Sequence, residues 1–403
     1  MKFGSPIQFS DAVTDATGGN VKVQRKDYLR SGLLPVIDQG QDAIAGYTDD
    51  AEAAYQGELP VILFGDHTRA FKYADAPFAL GADGVKVLAP KQGFNAKFLF
   101  YYFQSCGIPS RGYSRHFKYL REISVPYFTP SEQYRVVELL DQVDALRRLC
   151  GEADAKVARI LPALFLKMFG DPVDNPLQWP TGTLGSFGGS ARYGLGQPPN
   201  LSEAGLPLLR ATNIDAGNIL EKNLVFVAKE DVPISRSALL SANEVIVVRS
   251  GAYTGDVAQV TDRWAGSVAG YDLVVTPPPG WTGEFVEQML LTAFVQRGYF
   301  ESQKGRAGQP HLNSAQVEAT PVFRPTGLLQ EEFSKRVRAI RKLRDECQTA
   351  AERVESLFGS SLQRAFSGQL TAKWRQLHMS DLLAEMQCQA KALDFELSKE
   401  IAS

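Results

Sequence analysis

The side chains in this sequence best suited to chemistry are hydrogen-bonding groups that would meet another molecule's polar edges, and they gather in three short stretches. The first is Gly107 to Tyr119, where Arg111, Arg115, His116 and Lys118 are interleaved with Tyr113 and Phe117. Cations hold phosphates while arginine, histidine and aromatic rings meet base edges, so this composition fits contact with a nucleic acid. A merely solvated loop would also look basic. The second stretch is Lys304 followed by GRAGQPHLN, Gly305 to Asn313. Its glycines let the backbone approach a ligand, and Arg306, Gln309, His311 and Asn313 supply donors and acceptors suited to base edges. The third, VVRSGAYTGD, sets Arg249, Ser250 and Tyr253 in a turn after an apolar strand. Display at a strand end and an ordinary hairpin turn both fit it.

Motifs for catalysis do not accompany these stretches. There is no Gly-rich phosphate loop ending in Gly-Lys-Ser/Thr, no dinucleotide fingerprint, no clustered metal-ligand spacing and no nucleophile elbow. Gly194-Leu195-Gly196 precedes Pro198 and Pro199 rather than a helix start, which reads as a turn. His67, His116, His311 and His378 are scattered, and no pair shares a helix face. The prolines Pro277 to Pro279 lack the Asn/Asp-Pro-Pro-aromatic tetrapeptide with which amino-methyltransferases hold a target base. Recognition and scaffolding are the expected output.

Two long helices are the elements that must position these groups. Gln133 to Phe169 recurs 197 residues later as Gln330 to Phe366, and both copies read as amphipathic helices. A heptad seam runs through Val136, Val143, Cys150, Val157 and Leu164, with Leu139, Leu146, Ala153 and Ile160 at the partner position. The second copy keeps that register through Phe333, Ile340, Cys347 and Val354, with Leu343, Ala350 and Leu357 as partners. Two unrelated surface helices of one large domain would need the register to match by chance over five turns. The expectation is a duplicated helix that pairs with its copy. If the copies run antiparallel, Cys150 and Cys347 meet near the middle.

Around the helices the chain reads as α+β, with two mixed α/β domains: 1–130, a spacer helix 131–170, 171–327, a second spacer helix 328–368, and a helical tail 369–403. Extended runs are expected at Leu34 to Ile37, Leu59 to Phe64, Gly84 to Leu88, Leu206 to Leu209, Glu244 to Val248 and Asp272 to Thr276. Each domain adds one helix, Asn95 to Gln104 and Thr282 to Phe300, and the aromatics of the former are expected in the core rather than as a stacking platform. Val125 to Pro130 is expected to be extended by its prolines, Ser131 and Glu132 open the first long helix, Pro162 should kink it, and Gly170, Asp171 and Pro172 stop it.

Composition bounds the rest. With 403 residues and 44% apolar content, the chain supports two or three domains with sizeable cores. No run is long and apolar enough to span a bilayer, and the start at Met1, Lys2 and Phe3 does not resemble a signal peptide, so a cytoplasmic location is expected. Cys106, Cys150, Cys347 and Cys388 lie far apart, which indicates neither zinc site nor disulfide framework. The net charge of −2 argues against indiscriminate polyanion binding and leaves room for local basic patches.

Two variable domains alternating with two related helices resemble the specificity subunit of Type I restriction-modification enzymes. The motifs that carry the resemblance are the Val125-Pro126 to Gln133 entry, LFLKMFGDP at Leu164 to Pro172, GQPHLN at Gly308 to Asn313, and AFSGQLTAKWR at Ala365 to Arg375. The resemblance implies two target-recognition domains, each reading one half of a split site in double-stranded DNA, held apart by an antiparallel coiled coil with pseudo-two-fold internal symmetry. It also implies two methyltransferase subunits that carry S-adenosylmethionine and methylate adenine at N6, and restriction or motor subunits that join them. The chain itself would need no cofactor. A related methyltransferase-nuclease system, a coiled-coil adaptor without DNA contact and an enzyme with an unfamiliar active site are the competing readings. The segment after Arg375 is longer than the family's usual ending.

Overall fold

The computed structural model describes residues 6–81, 84–110, 112, 114–196, 200–232, 238–303 and 311–392, with side chains described to 388. The chain divides into two compact units, Met1–Gly151 with Thr349–Ser403, and Glu152–Gln348. Two 40-residue helices, Pro130–Phe169 and Gly327–Phe366, each give one half to either unit. Proline fits the first helical position because its missing N–H has no partner there, and Glu132 adds a negative charge in the first turn. At the other end Gly170 takes φ +83 and donates its N–H to Leu166 O, the left-handed stop that glycine adopts most readily. The helix runs through Pro162.

In the first unit an antiparallel sheet has the order Val13–Asp15, Val85–Pro90, Val61–Gly65, Phe71–Ala74. Val61–Gly65 is buried along its length, which explains why it reads as a continuous apolar run. A smaller sheet sets Leu34–Ile37 antiparallel to Gly46–Thr48 and parallel to Ala79–Leu80. Pro6–Ile7 pairs with Val125–Pro126, just before the long helix. Asn95 caps the helix Ala96–Ser105, whose Phe98, Leu99, Tyr101 and Phe103 are buried in the core as expected. The same core takes Val136, Val137 and Leu140 from the first long helix and Phe358, Leu362 and Ala365 from the second. Buried Glu132 accepts hydrogen bonds from Thr371 Oγ1 and Arg375 Nε, and Glu385 accepts the N–H of Ser131. The tail helices Ala372–Leu377 and Met379–Ala392 therefore belong to this unit, with Leu382 and Met386 buried.

The second unit repeats these sheet orders. Its antiparallel sheet runs Ser190–Tyr193, Leu273–Thr276, Val245–Val247, Val257–Gln259. In its smaller sheet Leu206–Leu209 lies antiparallel to Val225–Val227 and parallel to Val268–Ala269, with Leu201–Ser202 as an added edge. Thr181–Thr183 pairs with Pro321–Phe323. The helix expected over Thr282 to Phe300 is interrupted. Gly283–Leu291 ends at Thr292, whose extended backbone (ψ 150) starts a new short helix by accepting the N–H of Val295 on its hydroxyl. Gln296 Nε2 then donates to Leu290 O, satisfying a carbonyl the break leaves open.

One half of the seam departs from expectation in the same way in both long helices. Val136, Val157 and Phe333 are buried, with Val143, Cys150, Leu164, Ile340, Cys347 and Val354 half-buried. The partner position lies one residue later than apolarity suggests. Leu140, Arg147, Asp154 and Leu161 turn inward on the first helix, and Val337, Arg344, Ala351 and Phe358 on the second. Leu146, Ile160, Leu343 and Leu357 are exposed, Leu146 at 46%. Arg147 Nε donates to Glu355 at 2.7 Å in the first unit, and Arg344 lies 3.9 Å from Asp154 in the second, with the Glu355 and Asp154 side chains 64% and 46% exposed, so both are ion pairs at the surface edge of the helices.

Candidate nucleic-acid interface

In the second unit the edge of the antiparallel sheet gathers a compact cationic and aromatic cluster. Arg249 follows the buried strand Val245–Val247, and its guanidinium carbon lies 4.7 Å from the Tyr193 ring centre and 4.4 Å from that of Tyr271. Strand order brings the tyrosines together, because Tyr193 ends its strand opposite Leu273 and Tyr271 stands two residues before that position. Gly194 permits the close approach: a Cβ there would lie 2.2 Å from Gly270 O. Both rings are substantially exposed, at 43% and 50%. Together with Gly194, Leu195 and Gly196 they line a concavity of about 550 Å³.

Hydrogen bonds fix the arginine from one edge. Its Nε and Nη2 donate to His311 Nε2 at 3.2 and 2.9 Å, so that ring nitrogen is an acceptor and the imidazole is neutral. Burial and then the neighbouring guanidinium lower the His311 pKa, in keeping with that state. The Arg249 N–H donates to Asp272 Oδ1 at 3.1 Å, and Leu312 N–H donates to Arg249 O. Burial pushes the Asp272 carboxyl up to about 6, against the opposing pull of Arg249. Ser250 bridges His311 through the backbone, while Tyr253 is exposed in the turn joining Val245–Val247 to Val257–Gln259. That stretch is thus a hairpin connection that also displays Arg249 and Tyr253.

The first unit builds a related junction from different side chains. Asp66, just past the buried strand Val61–Gly65, accepts the His116 N–H on its carbonyl and the Phe117 N–H on its carboxylate. His116 Nδ1–H also donates to Asp66 O. At 1% exposure this imidazole is a support for the loop, which corrects its assignment as a DNA-facing group. Phe117 packs on Phe9 and Phe64, so the anchored segment leaves Arg115 and Lys118 exposed on either side. Lys86 lies over the outer face of Phe117, 4.8 Å from the ring centre, and pairs with Asp15 at 3.1 Å.

No family model matches the chain. In sequence it is similar to the specificity subunit of the Type I restriction enzyme EcoKI of Escherichia coli strain K12, 23% identical over 192 residues, 46% of this chain and 41% of that one. A second relative is the EcoR124I/EcoR124II specificity subunit of Escherichia coli, 36% identical over 67 residues, 16% of this chain and 17% of that one. Each alignment spans less than half of the relative's length. In structure it is similar to the S subunit of a Type-I restriction-modification system from M. genitalium, with a TM-score of 0.55 and 16% identity, covering 90% of this chain and 96% of that one. The chain has the fold of a Type I restriction specificity subunit.

Besides His116 and Tyr253, the residues singled out from sequence fall into three groups. Arg249, Ser250 and His311 come together at one junction, and Arg115 and Lys118 flank the other. Asn313 is a helix cap: its side chain accepts the N–H of Gln316, and Gln316 reciprocates on the Asn313 N–H. Arg111, Lys304, Arg306 and Gln309 lie outside the described residues. Sequence reasoning missed Tyr193 and Tyr271. Their signal was a tyrosine beside a glycine at the end of an apolar run, Tyr193-Gly194 and Gly270-Tyr271. Among the described residues no helix is long and apolar enough to cross a membrane, and no group of three or more His, Cys, Asp or Glu side chains is placed to hold a metal.

Proposed function

We propose that this chain is the DNA sequence-recognition subunit of a Type I restriction-modification enzyme. The observation that carries the reading is duplication: two units with the same sheet orders, each bringing a histidine-bearing segment, His116 in one and His311 in the other, to the end of its central buried strand. Residues 1–130 and 171–327 are then two target-recognition domains, each reading one half of a bipartite site in double-stranded DNA. Phosphates supply affinity, and a few side chains at each junction supply discrimination. Two methyltransferase subunits bind S-adenosylmethionine and modify adenine at N6, restriction subunits complete the complex, and this chain performs no catalytic step. The location is cytoplasmic.

The long helices are read as an antiparallel coiled coil within a pseudo-two-fold repeat. Support comes from Arg147 meeting Glu355 and the Phe358 ring in the first unit, and from Phe165 and Phe169 meeting Phe333 in the second. Partners on the second helix fall in number as those on the first rise.

The test is a domain exchange read by binding selection. The full chain, alone and with its methyltransferase subunits, is offered a randomised duplex library, as is a chimera whose residues 171–327 come from a relative. A split consensus that changes in one half alone is expected. Selection of no sequence, as for an adaptor that does not touch DNA, or change in both halves would overturn the reading.

A further inference from the structure

Arg249 is held far more rigidly than a phosphate contact requires. A surface lysine on a flexible stem suffices for a phosphate, whose charge is nearly isotropic. Here Tyr193 and Tyr271 flank the guanidinium at 4.7 and 4.4 Å, and His311 fixes its rotation by accepting from Nε and Nη2. The Leu312 N–H on Arg249 O and Asp272 on its own N–H pin the backbone beneath. The edge taken by His311 leaves the opposite fork, Nη1 with the second proton of Nη2, beside a concavity walled by the two rings.

A fixed, planar fork of two donors selects a partner with two coplanar acceptors at matching separation. In the DNA major groove that partner is guanine, through O6 and N7. Adenine sets a donor beside its N7, cytosine presents a donor, and thymine has one acceptor beside a methyl group. We propose that Arg249 is the specificity-determining residue for a guanine in the half-site read by the second unit, with Tyr193, Tyr271 and His311 as the positioning residues that aim its fork. The proposal rests on the DNA-recognition reading above and adds a base and the atoms that read it.

The same binding selection, run with Arg249→Lys, Arg249→Ala and His311→Ala, tests it, with thermal melts confirming that each variant is folded. The wild-type consensus is expected to contain a guanine that both Arg249 variants lose by roughly ten- to hundredfold in preference while all other positions are retained. Lysine keeps the charge, so Arg249→Lys should hold overall affinity better than Arg249→Ala does. His311→Ala should weaken discrimination at that same guanine more than it weakens total binding. If both arginine variants keep every base preference and Arg249→Ala only reduces affinity and the salt slope, Arg249 is a phosphate contact and the proposal falls. A split consensus without a guanine in that half also overturns it, leaving the function intact. Failure of the wild type to select any sequence would instead defeat the functional reading itself.

Discussion

Gln133 and Gln330, 197 residues apart, make the same pair of hydrogen bonds, each inside its own unit. The Oε1 of Gln133 accepts the N–H of Asn95 at 2.7 Å, and that of Gln330 accepts the N–H of Thr282 at 3.2 Å. Asn95 and Thr282 are the caps of the two core helices. Each Nε2 donates to the carbonyl five residues earlier, Phe128 at 2.8 Å and Pro325 at 3.2 Å. One buried amide thus joins the entry of each long helix to the start of the helix that fills its domain.

Alanine at Gln133 or at Gln330 should therefore destabilise the chain by about 2 kcal/mol each, since a buried N–H and a buried carbonyl lose their partners together. Urea denaturation of the two single variants measures this. A loss at one position with no change at the other would show that the two amides are equivalent in geometry but not in energy.

The inward face of the long helices gives a second test. Leu140 is buried in the first core and Leu146 is exposed, so Leu140→Ala should cost about 2–5 kcal/mol while Leu146→Ala stays within about 0.5 kcal/mol. Denaturation midpoints decide between this seam and the one suggested by apolarity, which would make Leu146 the expensive site.

That contrast marks where the sequence was legible. Apolar runs located the central strands, because Val61–Gly65 and Val245–Val247 are buried on both faces. Two long amphipathic helices could be read from spacing alone, and so could one of their inward-facing positions. Its partner could not, because Arg147 and Arg344 are half-buried while Leu146 and Leu343, one residue earlier, are exposed along with Ile160, the reverse of what side-chain polarity suggests. At the junctions Arg249 and His311 were legible as hydrogen-bonding types beside glycines. Tyr193 and Tyr271 were not, since they are distant in sequence and meet only through the pairing of Ser190–Tyr193 with Leu273–Thr276. His116 shows the converse failure, a polar residue in a basic loop whose ring turns inward onto Asp66.

Asp272 gives the pH prediction. Its folded pKa is raised from 3.8 to about 6, mainly by burial, so the folded state binds this proton more tightly than the unfolded state does. Stability from that difference is fully present below about 3.8 and is lost as pH rises through about 6. Above that range the buried carboxylate is a cost, with an upper bound of about 3 kcal/mol. Asp272→Asn keeps an oxygen for the Arg249 N–H and removes the ionisation. It should raise the melting temperature at pH 8 and leave it nearly unchanged at pH 4. An equal effect at both pH values would mean that Asp272 does not titrate in this range.

If the helices pair as proposed, their length sets the distance between the half-sites. A seven-residue insertion near the middle of both Pro130–Phe169 and Gly327–Phe366 keeps each inward face in register, because the seam repeats every seven residues. Insertion in only one helix would shift the seams against each other and should destabilise the chain. At about 1.5 Å of rise per residue the double insertion lengthens the spacer by roughly 10 Å, and DNA advances about 3.4 Å per base pair. The bases read on either side should stay the same, because both junctions lie outside the lengthened segments. The unread gap between them should grow by roughly three base pairs. Mapping methylation by the assembled complex on a library of gap lengths measures this directly. An active double-insertion variant that keeps the original gap would show that the helices do not act as the ruler, whatever else they hold together.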